Sequence, residues 1–406
     1  MSMAAAVEVK GWCPGVLRPM QSGDGLIARV RPWCGALGLD EARGLADAAQ
    51  RFGNGHIDLT RRANLQIRGL SDASVHGLQD AMQRLGLVDR DAEVEAGRNI
   101  MVAPLAGLAS DEVDVRPIAR TLADFLAGDA ALYALPSKFG FLVDGGGSVS
   151  IACERTDIAL RALGQTVAIG LDTPACTDWI GSTSFDEAAK TVVAIARIFV
   201  DLARDGGRLR DLNEERFGQF RALACKGLGP TDGGLSIEPR RPLGREGSVL
   251  GIAAPFGRLE APQLRRFADL AEEAGARDIR LSPWRALYIG TRDVGAASRA
   301  VEVARDIGLI VDANDPILRI DACPGAPACR SSSVDTRRDA RRLASSVFAG
   351  IIHVSGCVKS CARSMPAYLV LVGEQGRYNV IRNGTARDVP ERTIATDEVG
   401  TLTDVR

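Results

Sequence analysis

Two stretches of the chain repeat one pattern of hydrophobic and polar positions. In each, apolar residues recur at the helical period, and a glycine and then an apolar run suited to a strand follow. The stretches are 40–68 and 261–290, and matched positions such as Leu59 and Leu281 lie about 222 residues apart. The pattern predicts helix, glycine and strand in each copy, with Gly53 as a left-handed helix cap in the first.

A further strand is predicted before each copy, and another α/β pattern follows each one. Strands and helices in this order predict an α+β fold with antiparallel or mixed sheets. The stretch between the copies is rich in glycine and proline and predicts a linker. The predicted units are a first half at 1–90, an α/β domain at 91–225, the linker at 226–247, a second half at 248–310 and a last α/β domain at 311–406.

The first copy concentrates polar side chains on one face of its predicted strand, because successive residues of a strand point to opposite faces. Such a face could bind a ligand, although a strand that simply faces water gives the same pattern. The second copy has Trp284 and Tyr288 on the equivalent face, and these suit packing better than anion binding. The apolar set is Ile57, Leu59, Ala63, Leu65 and Ile67, and the polar set is Thr60, Arg62, Asn64, Gln66 and Arg68.

Composition excludes several classes of protein. A chain of 406 residues exceeds the roughly 250–300 at which one core stops growing, so more than one domain is expected. Its formal net charge of -1 and hydrophobic content of 46% show no global bias toward nucleic acid or membrane. No apolar run approaches the ~20 residues of a membrane span, and no signal peptide is recognisable, so we expect a cytoplasmic, reducing location.

Four of the nine cysteines form two closely spaced pairs. Cys323 and Cys329 have the spacing C-x5-C, and Cys357 and Cys361 have the spacing C-x3-C. Thiolates are soft ligands, and four of them match the ligand set of an iron-sulfur cluster. Two alternatives are four unrelated core thiols and a structural zinc site, which usually has C-x2-C spacing and histidines. The remaining cysteines are expected to be buried thiols: Cys13, Cys34, Cys153, Cys176 and Cys225.

Basic residues are frequent near these features. Arg29 and Arg31 lie on the strand before the first copy, Arg98 opens the next block, and Lys138 precedes an apolar strand. Together they could bind several carboxylates, although each alone is more typical of a solvated salt bridge. A capped helix is predicted after Cys329, and its four arginines are expected to face water. Those arginines are Arg337, Arg338, Arg341 and Arg342.

The repeat and the cysteines together resemble the nitrite and sulfite reductase superfamily. The matching motifs are L-T-R-R-A-N-L-Q-I-R-G at 59–69, R-N at 98–99, L-P-S-K-F at 135–139 and the two cysteine pairs. The resemblance covers nearly the whole chain. It implies an α+β fold with two pseudo-repeated halves of ferredoxin-like α/β units and two further α/β domains.

The resemblance also implies a cofactor. A 4Fe-4S cluster would be bound by Cys323, Cys329, Cys357 and Cys361. In the siroheme-containing reductases the last of these cysteines also bridges the cluster to the haem iron, and Cys361 occupies that place here.

One position departs from the reductase pattern. Those reductases hold a small oxyanion with two arginines and two lysines. Arg62, Arg98 and Lys138 match three of them, but the second lysine is replaced by Gly140. The departure argues against sulfite reduction and leaves room for a larger substrate that brings its own carboxylates.

The N-terminal motifs are most similar to the precorrin-3B synthase branch of the superfamily. They are G-W-C-P-G-V-L-R-P-M at 11–20 and G-D-G-L-I-A-R-V-R at 23–31. This branch implies hydroxylation of the tetrapyrrole precorrin-3A at carbon 20 with dioxygen, and γ-lactone formation, in aerobic cobalamin biosynthesis. It also implies a mononuclear non-haem iron. The chain has only three histidines, too few to assign the ligands of such an iron. No G-x-G-x-x-G follows a strand, so electrons are expected from a separate donor protein.

On this interpretation Arg62 and Lys138 are the candidate catalytic residues. The predicted substrate-binding residues are Arg29, Arg31, Thr60, Arg62, Asn64, Gln66, Arg68, Arg98 and Lys138. Two other functions stay open. One is a siroheme-dependent nitrite or sulfite reductase, and the other is a non-catalytic iron-sulfur electron carrier.

Overall fold

The computed structural model describes residues 13–203, 207–231, 240–346 and 348–403. These residues form helices and four five-stranded sheets, which confirms the α+β fold. Within the described ranges no helix has the length and apolar character needed to cross a bilayer. Residues 1–12 of the predicted first half and 232–239 of the predicted linker lie outside the described residues.

The chain folds into four blocks, numbered here in chain order. The first and third blocks contain the two copies of the repeat, and the second and fourth are further α/β blocks. The first block comprises β1 (Met20–Ser22), β2 (Gly25–Val30), β3 (Ala36–Gly38), α1 (Leu39–Phe52), β4 (His56–Leu59), β5 (Leu65–Leu70) and α2 (Asp72–Arg84). The second comprises α3 (Ala92–Gly97), β6 (Ile100–Val102), α4 (Arg116–Gly128), β7 (Phe141–Asp144), β8 (Ile158–Leu163), β9 (Thr166–Asp172), β10 (Thr177–Ser184), α5 (Ala188–Leu202) and α6 (Glu214–Ala224).

The later blocks follow the same order. The third comprises β11 (Gly244–Glu246), β12 (Val249–Ala253), β13 (Arg258–Glu260), α7 (Ala261–Glu273), β14 (Asp278–Leu281), β15 (Ala286–Gly290) and α8 (Val294–Asp306). The fourth comprises β16 (Ile320–Ala322), α9 (Thr336–Leu343), β17 (Ile352–Ser355), β18 (Ala367–Glu374), β19 (Arg377–Gly384) and β20 (Arg392–Ala395).

The two repeated blocks exchange strands. The first sheet has the order β1-β2-β5-β4-β13, and the third has the order β11-β12-β15-β14-β3, so each includes a strand from the other copy. Helices α1 and α7 pack together, and Arg43 of α1 lies 2.9 Å from Asp269 of α7. The apolar faces of both sheets share one core. The copies therefore fold as one unit, and the domain boundaries drawn from the sequence stay a prediction.

The other two sheets also resemble each other. In the second block β6, β7 and β8 are parallel, and β9 and β10 continue antiparallel. In the fourth block β16, β17 and β18 are parallel, and β19 and β20 continue antiparallel. Neighbouring parallel strands end at the same edge of a sheet, so the loops that follow β16 and β17 lie side by side.

The predicted single strand across the first copy is wrong, because the chain reverses between β4 and β5. Thr60 N donates to Asn64 O at 2.9 Å, and Asn64 N donates to the Thr60 hydroxyl at 3.1 Å. Ala63 has a left-handed φ of 50°. The Thr60 side chain supplies a local acceptor that competes with strand pairing, so a tight turn replaces the extended chain.

The second copy has the same turn. The Ser282 hydroxyl donates to Ala286 O at 2.8 Å and accepts from Ala286 N at 3.1 Å, and Arg285 has a φ of 64°. The repeat therefore extends to a hydroxyl-capped turn with one left-handed residue.

The predicted left-handed cap at Gly53 is also wrong, because its φ is -112° and Gly55 adopts the left-handed conformation instead, with a φ of 79°. A different constraint acts on Gly53. A Cβ there would lie 2.4 Å from Arg68 O, so close backbone approach requires the glycine.

The turn predicts a stability effect at Ser282, whose side chain is 1% exposed. The change Ser282→Ala leaves a buried backbone amide and carbonyl without this partner, so we expect the free energy of unfolding to fall by about 1–2 kcal/mol. Urea denaturation followed by circular dichroism measures it. Ser298→Ala, on an exposed helix face, is the control. Equal stabilities of the two variants would contradict the assigned role.

Candidate functional site

The cysteine pairs come together because of the strand order in the fourth sheet. Cys323 follows β16, and Cys357 follows the neighbouring parallel strand β17. Cys329 lies in the loop before α9, and Cys361 lies in the loop before β18. All four have free thiols.

The backbone around Cys323 is fixed closely. Gly356 N donates to the Cys323 sulfur at 3.1 Å, and the Thr336 hydroxyl donates to the Cys323 carbonyl at 2.6 Å. Gly325 has a left-handed φ of 66°, and a Cβ there would lie 2.4 Å from the Thr336 hydroxyl oxygen. The loop therefore needs glycine at this position, and the sulfur receives a backbone donor of the kind that stabilises a thiolate.

The four thiols lie within electrostatic range of one another. Loss of solvation raises the pKa of Cys361 to about 11, and the charges of Cys323, Cys357 and Cys329 add to this effect. Desolvation also raises the pKa of Cys357, whereas a hydrogen bond from the Lys359 backbone opposes the rise. The charges of the other cysteines help to raise the pKa of Cys357 and Cys361, an effect that a cationic metal group would relieve.

The described residues contain no group of three or more His, Cys, Asp or Glu side chains placed to hold one metal ion. The histidines lie apart: His56 is on β4, His76 is on α2, and His353 is buried in β17. Both ring nitrogens of His353 are buried without a hydrogen-bond partner. Burial lowers the pKa of His353 to about 4, with smaller effects from Asp321 and two arginines.

Asp58 joins the first sheet, the exchanged strand and the cysteine block. Its carboxylate lies 2.7 Å from Arg258 Nε, 3.4 Å from Arg337 Nη1 and 3.5 Å from Arg68 Nη1. Burial alone would raise the pKa of Asp58, but the three arginines outweigh it and hold the pKa well below its usual range. Arg337 is only 9% exposed, so the prediction that it faces water is wrong, because Asp58 binds it at the interface.

Asp321 forms a similar junction, two residues before Cys323. Its carboxylate lies 2.8 Å from Arg61, 3.2 Å from Arg363 and 3.6 Å from Arg285. Arg61 and Arg285 come from the turns of the two repeats, and Arg363 follows the second cysteine pair. Both repeats are therefore tied to the cysteine block.

Two of the predicted substrate-binding arginines are fully engaged in the protein. Arg68 lies 2.8 Å from Asp24 and donates to Ala328 O beside Cys329. Arg98 lies 2.8 Å from Asp89, and its guanidinium stacks 3.9 Å above the Trp33 ring. Their geometry supports positioning of the backbone more than contact with a ligand.

Arg31 lines a cavity of about 180 Å³. It is 5% exposed, and its Nε and Nη1 have no hydrogen-bond partner, although Glu95 lies 3.7 Å away. Burial is the main reason that the pKa of Arg31 falls to about 10, and neighbouring Arg29 contributes. A buried guanidinium with unused donors is suited to bind an anion. The lining includes Cys13, Arg18, Arg31, Glu95, Tyr133 and Phe139.

The other predicted residues occupy different environments. Thr60 and Asn64 form the turn, and Gln66 lies beside Arg29 on the neighbouring strand. Lys138 is exposed and stands between Ser137 and Phe139, which line the cavity. Arg29 and Arg98 are electrostatic neighbours of Arg31, and the assignment of the whole set as substrate-binding residues stays a prediction.

Arg62 lies in a basic cluster that the sequence did not reveal. It donates to Arg155 O at 2.9 Å, and its electrostatic neighbours include Arg208 and Arg210. Asp157 holds Arg208 at 2.7 Å. The alternating arginines of R-L-R at 208–210 were the available signal, but only the fold brings them to Arg62.

In the second copy, Trp284 stands at the position that matches Arg62, and it packs against Tyr288. Trp284 Nε1 donates to the Tyr288 hydroxyl at 2.8 Å, and the rings meet edge to face at 6.4 Å. Tyr288 is fully buried. The basic cluster at Arg62 thus has an aromatic counterpart here.

The Asp58 junction generates a prediction. Asp58→Asn leaves the buried arginines without their shared charge, so we expect the free energy of unfolding to fall by about 3–5 kcal/mol. Thermal and urea unfolding measure the loss. Glu302→Gln removes an exposed pair with Arg305, and is expected to cost at most about 1 kcal/mol. Similar losses in both variants would refute the importance of the Asp58 junction.

Comparisons with known proteins fit this geometry. Residues 18–85 and 242–294 match the family described as Nitrite/Sulfite reductase ferredoxin-like half domain, and these segments contain the two copies of the repeat. A Precorrin-3B synthase from Sinorhizobium sp is 34% identical over 96% of this chain and 86% of its own length. A Ferredoxin--nitrite reductase from Synechococcus elongatus is 25% identical over 90% of this chain and 79% of its own. The Mycobacterium tuberculosis NirA structure shares the fold, with a TM-score of 0.73, 21% identity, and coverage of 93% of this chain and 79% of that chain.

Proposed function

The chain belongs to the precorrin-3B synthase family of the nitrite and sulfite reductase superfamily, and from this premise we propose that it hydroxylates precorrin-3A at carbon 20. Dioxygen supplies the added oxygen, and the ring A acetate closes to a γ-lactone. The product is precorrin-3B of aerobic cobalamin biosynthesis, and the enzyme is an oxidoreductase. The observation that carries the proposal is 34% identity over 96% of the chain to a Precorrin-3B synthase.

We propose that Cys323, Cys329, Cys357 and Cys361 bind a 4Fe-4S cluster. The fit rests on four free thiols in loops near one sheet edge, within electrostatic range of one another, and on the backbone hydrogen bond that Cys323 accepts. When bound, such a cluster transfers single electrons. A separate donor protein is proposed to supply them, and a cytoplasmic location stays a prediction.

The residues do not fit a mononuclear non-haem iron with histidine ligands. His56, His76 and His353 lie on different elements, and only His353 is near the cysteine block. No step of the proposed reaction is therefore assigned to a second iron.

Gly140 supports a large substrate. A Cβ there would lie 2.9 Å from the Asn99 amide nitrogen and 3.2 Å from the Thr156 hydroxyl, so a lysine at this position would displace neighbours. The small-oxyanion clamp of the reductases is consequently incomplete. Arginines with unused donors, such as Arg31, suit a substrate with several carboxylates, while Arg62 and Lys138 remain the proposed catalytic pair.

A siroheme-dependent nitrite or sulfite reductase is the second candidate, because the cysteine spacing and the similarity to nitrite reductases favour it. Gly140 argues against it. A purely non-catalytic electron carrier is excluded, since the chain belongs to a family of enzymes.

Turnover with labelled oxygen tests the proposal. The anaerobically purified protein is mixed with precorrin-3A, a reductant and ¹⁸O₂, and the product is analysed by mass spectrometry. We expect a lactone that carries one labelled oxygen atom. Unchanged precorrin-3A together with reduction of nitrite or sulfite by the same sample would favour the second candidate.

The proposal separates two groups of residues. Arg62→Gln is expected to weaken use of the tetrapyrrole by about 10-fold or more while leaving bound iron and sulfide unchanged, because the Arg62 guanidinium binds Arg155 O of the second block and is not one of the four cysteine ligands. Cys357→Ser is expected to lose the cluster. Iron, labile sulfide and the visible spectrum are measured beside tetrapyrrole binding. Equal loss of cluster in both variants would refute this division.

A further inference from the structure

The turn that carries Arg62 meets a segment of the second block. Desolvation lowers the pKa of Arg62, and the next contribution comes from the like charge of Arg208, with Arg210 also opposing ionisation. Like charges within electrostatic range in a poorly solvated place repel each other, and an anion bound between them relieves this repulsion. The arrangement is therefore suited to a negatively charged ligand.

The local carboxylates neutralise only part of this charge. Asp157 is fully buried and lies 2.7 Å from Arg208 Nη2. Asp172 is 2% exposed and lies 2.7 Å from Arg210 and 2.8 Å from Arg155. Four arginines therefore share two buried aspartates and retain an excess of positive charge. They are Arg62, Arg155, Arg208 and Arg210. The nearby carboxylate of Glu154 is shared with Arg241, 3.6 Å away.

Unused hydrogen-bonding groups border the same place. The Thr156 hydroxyl is buried without a partner, and so is Arg210 Nε. Thr156 is 3% exposed and adjoins Gly140, whose backbone N–H donates to Asp157 at 2.9 Å. Buried polar groups rarely lack partners, so these donors point to a missing ligand.

The cluster also lies beside the cysteine block. Arg61, adjacent to Arg62 in the turn, lies 2.8 Å from Asp321, which precedes Cys323 by two residues. A group bound at Arg62 would therefore stand at the edge of the space next to the cysteines.

We propose that Arg62, Arg208, Arg210 and Thr156 form a subsite for one carboxylate arm of the tetrapyrrole. Arg208 is the residue that defines it, because Asp157, which accepts a hydrogen bond from Gly140 N, holds Arg208 within electrostatic range of Arg62. A carboxylate satisfies two guanidinium groups and the threonine hydroxyl at once. This inference rests on the proposed function, since a tetrapyrrole substrate supplies the carboxylate.

Equilibrium binding tests the subsite. The anaerobically purified holoprotein is titrated with metal-free uroporphyrin, which carries a carboxylate on every peripheral arm, and the change in porphyrin fluorescence gives Kd. Arg208→Gln is expected to raise Kd by about 10-fold or more, since a charge-assisted hydrogen bond is lost. Arg197→Gln removes an exposed arginine of the same block that pairs with Asp129, and is expected to leave Kd unchanged.

A second variant keeps the test decisive if Arg208→Gln fails to fold. Thr156→Val preserves shape and removes an unpartnered hydroxyl, so folding should be retained while Kd for uroporphyrin rises about threefold or more. An unchanged Kd in either folded variant would overturn the subsite while leaving the proposed function intact. If the wild-type protein binds no uroporphyrin, the subsite is overturned, and turnover of precorrin-3A with ¹⁸O₂ decides the proposed function separately.

Inorganic phosphate distinguishes a substrate arm from a free anion. We expect phosphate to compete with uroporphyrin in the wild-type protein and to compete less in Arg208→Gln. Binding of phosphate that depends on Arg208 without any effect on uroporphyrin would instead identify an independent anion site, and would overturn the proposal.

Discussion

A buried carboxylate shared among arginines is the interaction on which the architecture depends. Asp58 contacts Arg68 of the first repeat, Arg258 of the exchanged strand and Arg337 of the helix beside the cysteines. Removing charge from water is costly, and three partners for one aspartate make the contact favourable only in this arrangement of blocks. Asp321, close to Cys323, is likewise shared among three arginines. The position of the cysteine edge relative to the repeats follows from these two junctions.

The two repeats are alike in backbone and different in chemistry. Both have the hydroxyl-capped turn, at Thr60 and at Ser282, and each lends a strand to the sheet of the other. The first turn presents Arg62 to a basic cluster, whereas Trp284 and Tyr288 fill the equivalent place in the second. The proposed ligand-binding role therefore belongs to the first copy, while aromatic side chains pack at the matching positions of the second.

Local signatures of chemistry or repetition make parts of this molecule predictable from its sequence. The cysteine spacing and the repeated pattern led to the α+β fold and the family, and both are confirmed. Continuity of the strand at 56–68 was wrong, since a single threonine side chain redirects the backbone. The site is harder to predict, because ion pairs within the protein decide which arginines can still bind a ligand. Arg98 forms an ion pair with Asp89. Arg208 comes within electrostatic range of Arg62 only through tertiary packing. The assignment of individual site residues stays a prediction.

We propose that the tetrapyrrole is a substrate of this protein and not a resident cofactor. Gly140 and the excess of arginine around Arg62 support it, because they suit an anion-rich macrocycle better than a small oxyanion. The most direct test is to purify the protein without oxygen, extract its pigment, and record the visible spectrum with iron and labile sulfide. We expect iron and sulfide without extractable siroheme, whereas siroheme in amounts equal to the protein would show that the tetrapyrrole is a resident cofactor.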